Sequence, residues 1–139
     1  MPLNLPEYHG TIAALIAIGG LVLSQLIVAD VAAIRAKHKA GTPIPPDFTR
    51  FYFRAARAHA NTNESVAVFI SLAAAGILLS ASPTWLNALS WAYVACRLAH
   101  MVSYYANKKF ARSVAFGLSL AVLLGMLVLS IQVLSAQLG

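Results

Sequence analysis

Charged residues are absent from several long stretches of this chain and gather between them. Thr11 to Ala29 carries no charge and follows Pro6 and Gly10, both helix breakers. A helix crossing the hydrocarbon core needs about 20 apolar residues, so this stretch predicts a span continuing to about Ile34. The next segment, RAKHKAGTPIPPD from Arg35 to Asp47, holds Gly41, Pro43, Pro45 and Pro46 and reads as a loop. Ser65 to Cys96 is again uncharged, too long for one crossing, and broken at Ser80-Ala81-Ser82-Pro83. Ser82 can cap a new helix there, and Pro83 suits its first turn. Lys108 to Arg112 is a short basic turn, after which Ser113 to Leu138 is uncharged. The expectation is an all-α transmembrane four-helix bundle, up-down, in a single domain over 1–139, with spans near 11–34, 48–80, 83–107 and 113–136. The second span would be roughly 45–50 Å long at 1.5 Å per residue, so its basic first turns should project beyond the hydrocarbon.

Composition supports lipid as the surroundings. Apolar residues make up 60% of the 139 and charged ones only 10%, against about 25% in an ordinary soluble domain. A small soluble protein has a large surface to cover with polar groups, and this chain has too few. Ten Lys and Arg against four acids give a net charge of +6. Their placement between apolar runs favours orientation signals and an anionic membrane surface over nucleic acid. Arg35, Lys37, Lys39, Arg50, Arg54 and Arg57 surround the first loop, and Lys108, Lys109 and Arg112 the last. Both basic loops are therefore expected in the cytoplasm and both termini outside. The single cysteine, Cys96, excludes an intrachain disulfide. The first apolar run lacks a basic leader and an A-x-A site, so it does not read as a removed signal peptide. No Rossmann, P-loop or metal-ligand spacing occurs.

Ionisable groups at membrane depth are costly unless paired or facing a wet cavity, which makes them functional candidates. Arg57, Asn61 and Glu64 fall at i, i+4 and i+7, on one helical face, with Arg54 close to the same stripe. Arg97, His100 and Tyr104 form a matching stripe on the third helix, and Arg112 and Ser113 open the fourth. The tight outer turn makes the second and third helices antiparallel neighbours. Glu64 and Arg97 then both lie roughly 15–21 Å from the basic edge, and a Glu64–Arg97 contact is expected. The stripes would frame a net-positive cavity opening toward the cytosol near Arg112 and Arg35. Such a cavity suits a small, anionic, peptide-like ligand: arginine grips carboxylates in bidentate fashion, Glu64 matches an ammonium group, and Asn61 an amide or thiol. A cation such as Arg112 beside a thiol, ordinarily of pKa about 8.5, favours the thiolate.

Plainer roles compete for each residue. Buried polar groups in helix bundles often only link helices, for about 0.6 kcal/mol each. Arg35, Lys37, Lys39, Lys108 and Lys109 read as orientation charges, and His38 and His59 as interfacial. Cys96 reads as a packing residue, and Tyr52, Tyr93, Tyr105, Trp85 and Trp91 as packing or interface aromatics. Gln25 and Asp30 are ambiguous, Asp30 being placed to pair with a basic residue at the cytoplasmic boundary.

The run Arg54-Ala55-Ala56-Arg57-Ala58-His59-Ala60-Asn61-Thr62-Asn63-Glu64 resembles the R-x-x-R-A-H-x-N-x-x-E signature of the MAPEG family, the membrane-associated proteins in eicosanoid and glutathione metabolism. Arg97-Leu98-Ala99-His100 with Tyr104 resembles its third-helix R-x-x-H-x-x-x-Y, Arg112-Ser113 its R-S, and Arg35 the arginine ending its first helix. The resemblance covers essentially the whole chain and is to bacterial-type members, implying an inner-membrane location. It implies a homotrimer that binds glutathione as co-substrate between subunits near the cytoplasmic face, with lipophilic substrates entering from membrane lipid. On the resemblance, Arg57, Asn61, Glu64, Arg97, His100 and Tyr104 line the glutathione site, Arg35 joins from the adjacent subunit, and Arg112 stabilises the thiolate with Ser113 near the thiol. Ala60 and Phe116 depart from the prostaglandin-forming member, which carries an arginine and a tyrosine there. The implied function is a glutathione transferase, with peroxidase activity as an adjunct. A non-catalytic lipid-binding or scaffold member is the first alternative. A proton-coupled drug exporter using Glu64 is the second, though the guanidiniums crowding Glu64 argue against it.

Overall fold

A computed structural model describes residues 5–139. After a single 3₁₀ turn at Leu5–Tyr8, the chain forms helices α1 (His9–Arg35), α2 (Phe51–Leu78), α3 (Pro83–Tyr105) and α4 (Lys109–Leu138). The expected bundle architecture is present. Three stretches, Leu5–Arg35, Phe51–Leu78 and Lys109–Leu138, are long and apolar enough to cross a membrane. Helix α3 is continuous, has Asn87, Arg97 and His100 among its apolar residues, and packs against all three other helices.

The up-down order follows from bonds at one pole of the bundle. Tyr8 donates its hydroxyl to the Ala81 carbonyl at 2.6 Å, placing the start of α1 against the end of α2. Asn87 of α3 accepts from both the Thr11 N–H and the Thr11 hydroxyl at 2.8 Å and donates to the Glu7 carbonyl. Gln137 near the end of α4 donates to the Leu79 carbonyl at 2.8 Å. So α1 and α3 run one way, α2 and α4 the other. The helices approach closely here. A Cβ added at Gly10 would stand 2.8 Å from Asn87 Cγ, and one at Gly76 would stand 2.8 Å from the Leu86 methyls.

Three helices close in the same manner. Lys37, Ser80 and Asn107 take left-handed φ values of 54°, 55° and 55°. The following N–H reaches back to the carbonyl five residues earlier: His38 to Ala33, Ala81 to Gly76, Lys108 to Ser103. This is the Schellman closure, normally supplied by glycine. The expected Ser82 side-chain cap is not made. Pro83 has no N–H to satisfy, and the first helical bond runs from the Leu86 N–H to the Ser82 carbonyl at 3.0 Å. Helix α2 starts at Phe51 rather than near 48, because Asp47 accepts from the Thr49 N–H and hydroxyl in a turn. Its 28 residues span about 42 Å. Tyr8, Ile18, Phe69, Leu86, Tyr93, Leu123 and Met126 form the apolar core.

Candidate functional site

The opposite pole carries the arginines and the two helix-joining basic segments. Arg97 on α3 is only 1% exposed. Its Nη1 donates to Asn61 Oδ1 at 2.9 Å and its Nη2 to Ser65 Oγ at 2.6 Å. The same guanidinium lies 5.6 Å from the Tyr93 ring and 5.7 Å from the Phe116 ring. Asn61 then turns its Nδ2 toward Glu64 Oε2 at 3.4 Å. The expected Glu64–Arg97 contact is therefore not made. Asn61 stands between them, and among the described residues the ion pair that forms is Arg50 with Asp47 at 3.3 Å. Asp30, ambiguous in the sequence, is exposed and forms no ion pair among the described residues.

Beside this network is a cavity of about 360 Å³ between α2 and α4. Asn61, Glu64, Ser65 and Arg97 form its polar edge, and Val68, Leu72, Phe116, Leu120, Leu124 and Leu127 continue it toward the far pole. Polar groups thus meet an apolar slot of small-molecule size.

His100, Tyr104 and Arg112 lie together on the basic side. The His100 and Tyr104 rings are 5.0 Å apart and nearly perpendicular, and His100 is 6.2 Å from Phe116. The Arg112 guanidinium sits 4.5 Å from the Tyr104 ring and 4.9 Å from the Phe48 ring. Stacking of this kind uses the faces of the guanidinium and leaves its in-plane N–H donors for an anion. Phe116 contacts both groups and joins the two halves of the site.

Other expected residues stand apart. Arg57 and Ser113 are exposed, and the Ser113 hydroxyl donates to the Lys109 carbonyl at 3.2 Å. Helix α4 begins at Lys109, so Ser113 lies a turn inside it. Arg35 lines a different cavity of about 700 Å³ with Val28, Val31, Arg50, Phe51 and Tyr52. Arg54 leaves the stripe altogether, donating to the Phe48 and Thr49 carbonyls at 2.7 and 2.9 Å and to Tyr105 at 3.4 Å. Its role is to hold the loop against the end of α3.

Tyr93, Ser65 and Phe48 were not expected to take part. Tyr93, read as a packing or interface aromatic, is fully buried and has its hydroxyl 2.7 Å from Ser65 Oγ. Both residues carried a signal: Tyr93 is i−4 from Arg97, and Ser65 is i+4 from Asn61. Phe48 carried none, since its place depends on the Asp47 turn. Asp47 itself, on the loop, is held below its ordinary carboxylate pKa, first by the Thr49 hydrogen bonds and further by Arg50. His38 finds a partner in the Thr42 carbonyl at 3.1 Å, and His59 in Asn63 at 3.0 Å. Gln25 is fully buried, with neither amide atom hydrogen-bonded.

A search of curated proteins finds no match to the chain. The MAPEG family profile matches residues 11–132, which takes in most of all four helices and every residue of the polar network. The family includes glutathione transferases and peroxidases. With its apolar helices, this chain is an integral membrane protein and belongs to the MAPEG family.

Proposed function

We propose that this protein is a membrane-bound glutathione transferase that acts on lipophilic electrophiles, with α3 as a fourth span and three copies forming the working unit. The observation that carries the reading is the junction of a hydrogen-bonding edge, Asn61 and Glu64, with an apolar slot leading into the bundle. The basic pole faces the cytoplasm in this reading, by the charge bias of its loops, and both termini lie outside. In a bacterial cell the host membrane is the inner one. Arg35 lies away from the polar edge of its own chain, as it would if it served the site of a neighbour.

The chemistry divides among named groups. Glu64 accepts the ammonium group of the γ-glutamyl end, with the Asn61 amide beside it. Arg57 and the neighbour's Arg35 meet the carboxylates. His100 and Tyr104 close the wall between this end and Arg112. Arg112 directs its free N–H donors at the sulfur, lowering the cost of the thiolate. The slot along Val68, Leu120 and Leu124 holds the apolar body of the electrophile. With an aromatic halide, the thiolate forms a C–S bond at the carbon bearing the halogen, and halide leaves with the bonding pair. The thiol proton goes to solvent through the open basic pole. Ser113 is left a supporting part on the α4 surface, because its hydroxyl is already committed to Lys109.

The test is conjugation of glutathione to 1-chloro-2,4-dinitrobenzene by purified protein. Wild type should turn over, and Arg112→Ala should lower kcat by about 100- to 1,000-fold, the usual cost of losing one group that stabilises developing charge. Absence of both conjugation and glutathione binding in wild type would overturn the reading in favour of a scaffold member.

A further inference from the structure

Arg97 is a buried cation that meets no carboxylate, and the groups around it are arranged to direct hydrogen bonds outward. Ser65 Oγ lies 2.6 Å from Arg97 Nη2, 2.7 Å from Tyr93 Oη and 3.3 Å from the Thr62 carbonyl. Arginine donates only, and a carbonyl accepts only. Ser65 therefore accepts from Arg97, gives its proton to Thr62 and accepts again from Tyr93. With its proton on Thr62, that hydroxyl is fully used, one bond given and two accepted.

The same logic reaches Asn61. An asparagine amide can present either its oxygen or its nitrogen to a neighbour. Arg97 Nη1, a permanent donor, holds the oxygen inward at 2.9 Å. The nitrogen must then face Glu64, as it does at 3.4 Å. Glu64 is exposed and Asn61 half-buried, so this pair forms the accessible end of the relay. Tyr93 anchors the buried end: it is 0% exposed, and its ring stacks on Phe69 with centroids 4.4 Å apart and planes 11° from parallel.

We infer that Tyr93, acting through Ser65 and Arg97, is a positioning residue that fixes the polarity of the Asn61–Glu64 pair, and so the recognition of the ligand's ammonium group. The inference rests on the glutathione reading and deepens it. Tyr93 is sealed from the cavity, and Ser65 meets it only at the edge, with its hydroxyl spent on Arg97, Tyr93 and Thr62. They hold Arg97 in the one orientation that serves both Ser65 and Asn61, and Arg97 holds the amide.

The test separates positioning from general support by pairing each variant with two ligands. Binding to the full-length protein in detergent is measured for glutathione and for N-glutaryl-cysteinylglycine, the same molecule without its amino group. Wild type should prefer glutathione. Tyr93→Phe keeps the ring stack and loses only the hydroxyl, and should cut that preference about three- to tenfold, the worth of one hydrogen bond in such a chain. Ser65→Ala should do the same, while Ser65→Thr, which keeps a hydroxyl, should restore most of it. Affinity for the glutaryl ligand should stay constant throughout. An unchanged preference in Tyr93→Phe and Ser65→Ala, or equal losses for both ligands, would overturn the positioning role alone. A wild type that binds neither ligand would overturn the glutathione reading and the inference with it.

Discussion

Taking a guanidinium out of water costs several kcal/mol even after relaxation. At Arg97 the cost is met by hydrogen bonds to Asn61 and Ser65 and by the faces of two rings. Bonds from a charged donor contribute about 1.5–3 kcal/mol each. Arg97→Lys should consequently be worse than its conserved charge implies, because one ammonium cannot serve both oxygens in the planar geometry of a guanidinium. Thermal unfolding in detergent should show a loss of about 2–4 kcal/mol; a change under about 0.5 kcal/mol would mean the fork is not used. Asp47 makes a contrasting prediction at the surface. Its folded pKa lies below the ordinary 3.8, so its contribution is present above that value and lost as pH falls through the folded one. The stability gap between wild type and Asp47→Asn should accordingly close on acidification and stay constant across neutral pH. Legibility at this scale was uneven. Glu64 and Arg97 could be found because charge in an apolar run stands out, and Asn61 because its spacing puts it on the face of Arg57 and Glu64. Tyr93 and Ser65 have the right spacing but ordinary membrane-helix chemistry, and the Glu64–Arg97 pairing failed because matching depth does not say which rotamer reaches.

Helix ends show what the sequence hides. Three consecutive closures use Lys37, Ser80 and Asn107 in the left-handed region, where a Cβ costs roughly 1–2 kcal/mol. Ser80→Gly removes that strain but adds freedom to the unfolded chain. The net expectation is a gain of about 0.5–1 kcal/mol, visible as a raised Tm; a fall would show that the serine does something besides turn. Gly10→Ala should act in reverse. Its Cβ would meet Asn87 Cγ at 2.8 Å and Cβ at 3.0 Å, and Asn87 cannot swing aside without breaking bonds to Thr11 and Glu7. Overpacking of this kind costs about 1–3 kcal/mol. The helices themselves could be read from uncharged runs and prolines. The way they close could not, since Schellman closures need no glycine signal when Lys, Ser or Asn accept the strain. The Asp47 turn, which moves the start of α2 and sets Phe48 beneath Arg112, depends on side-chain bonds that periodicity does not encode.

Across the whole molecule, polarity is concentrated in the first half of α2 and in α3, while α1 and α4 are the most apolar helices. An arginine at the centre of an isolated span costs about 2.5–3.5 kcal/mol on insertion. Helix α3 on its own should insert poorly, and integration should recover when α2 and α4 flank it; glycosylation-site mapping on truncated chains measures this. Efficient insertion of α3 alone would show that its buried Arg97 needs no shelter from its neighbours. The bonds of Tyr8, Thr11, Asn87 and Gln137 draw the start of α1, both ends of the α2–α3 turn and the tail of α4 together at one pole. At the other pole, Arg54 ties α2 to the end of α3, and Arg112 rests on rings rather than on a hydrogen-bonded knot. Among the described residues the bonds at that pole join α2 to α3 alone, so the ends of α1 and α4 there behave as tines on a common handle. Thermal breathing should widen the arginine-bearing tips first, so amide protons there should exchange with deuterium sooner than those beside Asn87, giving a charged guest a doorway without unfolding the scaffold behind it.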